Sequence, residues 1–422
     1  MKTTKLLTKA ITLSLLTSSL LHATNGDNLI AVGAKARGMG GAAIAVKHGA
    51  ENALSNPAMM TSVEGTEVSF GGTFFMSNIN TAINGPMLPA QEHKSDTSVN
   101  IIPEVSITHK INDNWYIGVG MFGTAGMGVD YRNELLNPAT GQFGNLNMVT
   151  NLQLLQFAVP VAYKTGSLSI AFAPILQYGS LDISYRMPVP GTATINNIGG
   201  GLAQDFGLGW NLGASYDFDN GLIIGAVYKS TIEMNYEGQL SGATAPFVAM
   251  GAFAAPMSDT LEQPSEIGIG FSYSMAQHTF AFDYKKIQWS KATGYEDFGW
   301  EDQNVYAVGY QYTQDNWALR LGYNYASSAV VELQGAGTPA YGTTSALNFF
   351  NLLGFPATAE QHYTVGGSYA LTKAFSVDLA YVYSPETSET FDIGAFAGAF
   401  GTSSITTTHQ EDTFSFQLTY DF

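Results

Sequence analysis

From residue 67 to the C-terminus the chain repeats one unit: a run in which apolar and polar side chains alternate, followed by a break. The last run is the clearest. Phe414, Phe416, Leu418, Tyr420 and Phe422 alternate with Ser415, Gln417, Thr419 and Asp421. A period of two places one set on each face of a β-strand. A face this apolar would invite aggregation as a strand edge in water, but it suits the lipid side of a membrane barrel. Similar runs cover 67–76, 98–111, 115–128, 152–165, 168–185, 206–218, 222–237, 266–275, 278–288, 304–312, 317–327, 362–371 and 375–383. With 414–422 they predict fourteen antiparallel strands, an even number, as a single-chain bacterial barrel requires.

The breaks alternate strictly in length. Six are short, at 112–114, 165–167, 219–221, 275–277, 313–316 and 372–374, several with the Asn, Asp and Gly chemistry of tight turns. Seven are long, at 77–97, 129–151, 186–205, 238–265, 289–303, 328–361 and 384–412. Sorting turns to one end and loops to the other is the habit of outer-membrane barrels, with turns in the periplasm and loops outside the cell.

The first residues set the compartment. Lys2, Lys5 and Lys9 precede an uncharged stretch from Ala10 to Leu21, and Leu21-His22-Ala23 ends in a small residue. This is the pattern of a cleaved secretory leader over 1–23, and its apolar stretch is too short to span a bilayer as a helix. Residues 24–66 then differ from the rest, with Gly33, Gly38, Gly40, Gly41 and Gly49 among small alanines, followed by Asn56-Pro57-Ala58. Such a segment cannot serve as a membrane strand. Its polar backbone needs protein or water around it, so it is expected in the lumen as a plug, with the barrel over 67–422.

Composition narrows the class. Charged residues make up 12%, against 46 Gly, 22 Tyr and 25 Phe, and there is no Cys. Soluble domains carry about twice that share of charge. Without the leader, 14 basic residues face 34 acidic ones, a net charge of −20. This excludes nucleic acid as a partner and leaves a carboxylate ligand only a local basic site. Seven histidines are scattered without a nucleophile–base pattern or metal-ligand spacing, so neither catalysis, metal nor cofactor is expected.

Three further features point toward transport. Loop 238–265 is greasy around Phe247, Val248, Met250 and Phe253, and loop 328–361 around Leu347, Phe349, Phe350, Leu353 and Phe355; loop 384–412 adds Phe391, Phe396 and Phe400. Apolar loops facing water mark a capture surface, or else pack together as a cap. The third strand holds Gly118, Gly120, Gly123, Gly126 and Gly128, a density that predicts a bulge or bend. Alternation points Arg320, Lys285, Asp283, Lys229, Glu233 and Asp378 into the lumen, where Arg320 or Lys285 either meets a ligand carboxylate or pairs with a neighbouring acid. Lys35, Arg37 and Lys47 lie in the plug and either anchor it to an acidic wall or join an anion site.

The chain resembles the FadL family of outer-membrane long-chain fatty acid and hydrocarbon transporters. The likeness is carried by Gly33-Ala34-Lys35-Ala36-Arg37-Gly38-Met39-Gly40-Gly41-Ala42, Asn56-Pro57-Ala58 and Gly118-Val119-Gly120-Met121-Phe122-Gly123. Asp283-Tyr284 before Trp289-Ser290, Pro264-Ser265-Glu266, Val308 to Tyr312 and His362 to Gly367 continue it along the mature chain. The resemblance implies a 14-stranded barrel with an N-terminal hatch. It implies capture by the loops, passage into the lumen, and sideways release at a kink of the third strand around Gly120, Gly123 and Gly126. Long-chain fatty acids are the first expected ligand and hydrocarbons the second, with a non-specific porin as the rival. A closing strand that ends in Phe resembles an outer-membrane assembly signal. The barrel assembly machinery, outer-membrane lipid and lipopolysaccharide are therefore expected partners of a monomer.

Overall fold

The computed structural model describes residues 24–85, 88–97, 99–133, 144–188, 194–334, 338–398 and 401–422. The expected leader, 1–23, and Phe400 lie outside them. Among the described residues, fourteen strands form the wall. They are β1 Thr66–Gly85, β2 Asn100–Lys110, β3 Trp115–Asp130, β4 Val149–Ala158 continued by Val161–Thr165, and β5 Leu168–Pro188. Then come β6 Ala203–Asp217, β7 Leu222–Lys229, β8 Glu266–Met275, β9 His278–Ile287 and β10 Gln303–Gln314. The last four are β11 Trp317–Ala326, β12 Gln361–Ala370, β13 Phe375–Asp392 and β14 Ser404–Asp421. Successive strands pair antiparallel, and β14 returns to β1 through Gln410↔Asn78 and Asp421↔Glu67. The sheet thus closes on itself.

Alternation sets the two faces. On β14, Phe414, Phe416 and Tyr420 are exposed on the outside while Ser415, Gln417 and Thr419 are buried inside. The periplasmic turns are tight enough to need left-handed backbone at Gly166 (φ 58°), Ala276 (φ 52°) and Asp315 (φ 50°). No described helix is long and apolar enough to cross a membrane.

Several boundaries differ from the sequence expectation. β1, β13 and β14 continue well beyond 76, 383 and upstream of 414, so much of the expected loop 384–412 is strand. These extensions are mostly polar, with only Ile79, Ile83, Phe391 and Ile405 as large apolar residues buried on the inner face, so they read as loop, yet their backbones still pair, with Thr387↔His409 through Asp392↔Ser404. β7 is shorter than expected. It ends at Lys229, so Glu233 is an exposed loop residue rather than a lumen one.

The N-terminal segment occupies the lumen. A two-stranded hairpin, Thr24–Asn25 with Asn28–Leu29, leads into helix α1, Ala34–Gly38, and then to a 3-10 helix, Pro57–Ser62. The backbone lies almost flush on the wall. A Cβ at Gly322 would come 2.1 Å from the Gly40 nitrogen, and one at Gly366 would come 2.9 Å from the Gly38 Cα. Glycine on both partners is what allows this approach, and it accounts for the Gly38-Met39-Gly40-Gly41 run. Above the wall, two loop helices, α2 Leu240–Ala249 and α3 Thr338–Gly354, cover the barrel mouth.

Candidate functional site

The ladder between β2 and β3 stops partway up the wall. Pairing runs from Lys110↔Tyr116 to Glu104↔Phe122 and ends there. Higher up, Asn100–Pro103 of β2 remain bonded to β1, while β3 shifts register against β4 between Gly123 and Ala125. Beyond the shift β3 acquires a different partner. Ala125 pairs with Asn28 of the hairpin, and the Gly126 N–H donates to the Asp27 carbonyl at 3.0 Å. A lumen hairpin thus takes the place of β2, and the wall is left with a gap.

The three glycines singled out in the sequence have different positions. Gly123 stands at the irregularity, where a Cβ would fall 2.2 Å from Ile102 Cγ2. Gly126 lies above it on the hairpin-bonded stretch, and Gly120 below it in regular pairing with Ser106 and Ala158.

A cavity of about 300 Å³ occupies the gap. Both faces of β4 line it: Leu152 and Leu154 from the lumen side, Gln153 and Leu155 from the outer side. Ile101, which is 72% exposed on the outer wall, borders it as well. The cavity therefore passes through the wall. At the lumen end it meets Thr24, Gly26, His409 and Glu411. No Lys or Arg lines it among the described residues.

The N-terminal segment is fastened beside this gap by buried polar contacts. Arg37 donates to Glu104 twice, at 2.5 and 2.9 Å, and to Thr73 at 2.7 Å. Glu104 is the β2 residue of the last β2–β3 pair, so this anchor lies directly beneath the opening. Lys35 donates to the His48 carbonyl at 3.1 Å and lies 3.8 Å from Glu67. Asn56 accepts from the Ala58 N–H at 3.1 Å and donates to Ile44 and Ala214 carbonyls at 2.6 and 3.2 Å. It thereby caps the 3-10 helix that opens with Pro57 and ties the helix to β6. Pro57 and Ala58 are buried with it.

The inward charges of the wall are similarly engaged. Arg320 lies 3.6 Å from Asp378 and donates to Gln311 and Ser368. Asp283 accepts the Ala43 and Ile44 N–H groups at 2.7 and 2.9 Å. Lys285 reaches the Ile30 carbonyl at 3.4 Å, and Lys229 pairs with Glu266 at 3.1 Å. Asp283 and Lys285 hold the lumen segment, Arg320 and Lys229 bond within the wall, and none of the four lines the wall cavity.

The greasy loops face one another rather than water. Phe247, Phe253, Leu347, Phe349, Phe350 and Leu353 are all buried. Phe247 meets Phe350 with ring centroids 4.6 Å apart and Phe396 at 5.2 Å. Val248 is half-buried, and Met250 alone of the expected capture residues is exposed. Of the two alternatives offered by the sequence, these contacts are those of a cap: α2, α3 and the β13–β14 loop pack together. Burying one such side chain contributes about 1.5–3 kcal/mol, which outweighs leaving it in water.

Sequence reasoning missed the polar knot that links cap, hairpin and β3. Asp27 is fully buried. Its Oδ2 accepts from the Tyr295 hydroxyl and from Gln263 Nε2 at 3.3 Å, while its carbonyl holds Gly126. Gly26 (φ 66°) begins the turn, and a Cβ there would strike Trp289 at 2.7 Å. Gly26-Asp27 between two asparagines is a turn signature, the one local signal for this knot.

Burial pushes the Asp27 carboxyl up to about 6 and that of Glu51 to about 7, and it pushes His48 down to about 3. Asp27 starts from 3.8 in an open chain. Its contribution to seating the hairpin is therefore full below that value and lost as the pH rises through about 6. Glu51 adds a second loss of the same sign. Amide exchange over 24–30, corrected for intrinsic rate, is expected to be faster at pH 8 than at pH 5. Asp27→Asn should remove the lower step. Equal protection at both values would contradict this assignment.

Comparison with known proteins agrees with the architecture. The 47 kDa outer membrane protein of Pasteurella multocida is 24% identical over 368 residues, covering 82% of this chain and 84% of that protein. The long-chain fatty acid transport protein of Escherichia coli is 24% identical over 334 residues, covering 68% and 73%. Two solved structures share the fold: a FadL homologue of Pseudomonas aeruginosa (TM-score 0.68, 14% identity, 96% of this chain and 100% of that one) and the toluene transporter TodX of Pseudomonas putida (0.68, 17%, 94% and 100%). A family model described as outer membrane protein transport protein (OMPP1/FadL/TodX) matches residues 23–422. With its closed fourteen-stranded wall and filled lumen, the chain belongs to this family of outer-membrane transporters for hydrophobic substrates.

Proposed function

We propose that this barrel carries uncharged hydrophobic molecules, small hydrocarbons foremost, through the cap and out sideways through the wall between β2 and β3. The carrying observation is the cavity itself, which is apolar, open to both faces of β4 and free of lining cations. A carboxylate brought there would meet Glu411 and no Lys or Arg, an unfavourable exchange for its water. The volume lies at the small end of the roughly 300–1,000 Å³ spanned by ligand pockets. The name of the toluene transporter TodX fits this reading.

Long-chain fatty acids are the second reading, favoured by the name of the Escherichia coli relative. Such a ligand would have to enter the cavity protonated or leave its head group behind at the lumen charges. Uptake of radiolabelled toluene and oleate by cells with and without the barrel separates the two. Faster toluene uptake with only weak competition by oleate is expected. Oleate uptake without toluene uptake would reject the first reading in favour of the second.

A further inference from the structure

Thr24 and Glu411 meet where the wall cavity opens to the lumen. Both are buried. The Thr24 hydroxyl donates to Glu411 Oε1 at 2.5 Å, and the Thr24 backbone amide bonds the same carboxylate. The second oxygen, Oε2, is buried without a hydrogen-bond partner. His409 lies 3.2 Å from Oε1 and is charged only if protonated. Among the described residues no Lys or Arg pairs with Glu411.

Some buried acids of the barrel have a cation partner, and others, Asp27, Glu51 and Asp283 among them, share with Glu411 an oxygen that has no hydrogen-bond partner. Glu104 has Arg37, Asp378 has Arg320, Glu266 has Lys229, and Asp27 has a hydroxyl and an amide donor. A carboxylate removed from water without a cation or a full set of donors is costly. Unless it keeps its proton, Glu411 needs a cation.

Processing of the chain can supply it. The leader pattern ends at Ala23, and the family match begins at residue 23. Hydrolysis adds water across the Ala23–Thr24 amide; the leader departs with the new carboxylate, and the Thr24 nitrogen stays behind as an ammonium. We propose that this α-ammonium is the counter-ion of Glu411, a buried ion pair that exists only after leader removal and pins the hairpin to β14. The other end of the hairpin bonds Ala125 and Gly126 of β3. The pair would thus set the one element that stands in for β2, and an unprocessed chain would lack it.

The inference rests on the leader reading of 1–23, which is tested first and separately by intact mass of the exported protein. A mature chain starting at Thr24 is expected, and any other start overturns the pair. Reductive methylation with labelled formaldehyde then measures access to the α-amine in the folded barrel. Ion pairing that raises the amine by one pKa unit slows labelling about tenfold. Glu411→Gln should restore that factor. So should one extra Gly placed ahead of Thr24, which shifts the amine by about 3.8 Å. Heat-modifiable gel migration checks folding in each case, and the extended chain keeps the test decisive should Glu411→Gln misfold. An α-amine labelled as fast in the native barrel as in the denatured one overturns the proposal. So does a slow rate unchanged in a folded variant.

Discussion

Joining β2 to β3 by a disulfide at the gap is expected to stop transport, and reducing the disulfide to restore it. A Cβ on Gly123 would lie 3.5 Å from that of Ile102, within the roughly 3.5–4.5 Å that disulfides span. The chain has no Cys of its own, so Ile102→Cys with Gly123→Cys makes one crosslink in a thiol-free barrel. The two changes also suit each other. Adding a side chain at Gly123 alone, as in Gly123→Val, brings it against Ile102 Cγ2 at 2.2 Å, whereas Ile102→Cys removes that methyl. Uptake should fall roughly tenfold or more on oxidation, because a bonded wall offers no passage to a lipid-sized molecule. Each single cysteine variant should ignore the oxidant. Transport at the wild-type rate through the oxidised double variant would place the route elsewhere.

The second large effect belongs to Arg37. Arg37→Ala leaves Glu104 buried and unpaired, a cost of about 3–5 kcal/mol. That penalty falls on the contact holding α1 against β1 and β2, so the lumen segment should come loose while the strands remain paired. The expected result is a barrel that still shows heat-modifiable migration but carries a steady current in planar bilayers and is cut by protease within 24–65. Adding Glu104→Ala should recover part of the closure by removing the stranded charge. Arg37→Lys should fall between, keeping the charge and losing the fork. An Arg37→Ala barrel that stays electrically closed and protease-resistant would show that the segment is held by the glycine contacts alone.

The wall was legible in the sequence because lipid outside and polar lumen inside impose a period of two on every strand, and because Gly166, Ala276 and Asp315 mark turns too short to be anything else. The strand ends were not. Where β13 and β14 rise above the membrane, water bathes the outer face, so Ser388, Thr390, Thr406 and Thr408 pair without an apolar signature. The glycine cluster of β3 advertised an irregularity, and the register shift falls at Gly123–Ala125. What fills the break could not be read locally. It depends on Asn28, on the Tyr295 and Gln263 contacts to Asp27, and on Glu411, four stretches that approach one another only once the barrel closes. The loop phenylalanines illustrate a different limit. Composition shows that Phe247 and Phe350 are greasy, but only tertiary packing decides whether they face water or each other.

Sideways passage is tested most directly by following a photoreactive hydrocarbon already inside the barrel. The probe is loaded into the oxidised Ile102→Cys/Gly123→Cys protein in lipid vesicles, and its position is mapped by illumination before and after reductant. Lateral release predicts labelling of Leu152 and Leu154 that persists while the disulfide is intact, then disappears on reduction as the probe enters the surrounding lipid. Loss of that labelling at the same rate with the disulfide intact, together with new labels on Lys47, which pairs with Asp217 beside the 219–221 turn, would contradict the account and assign the exit to the periplasmic end.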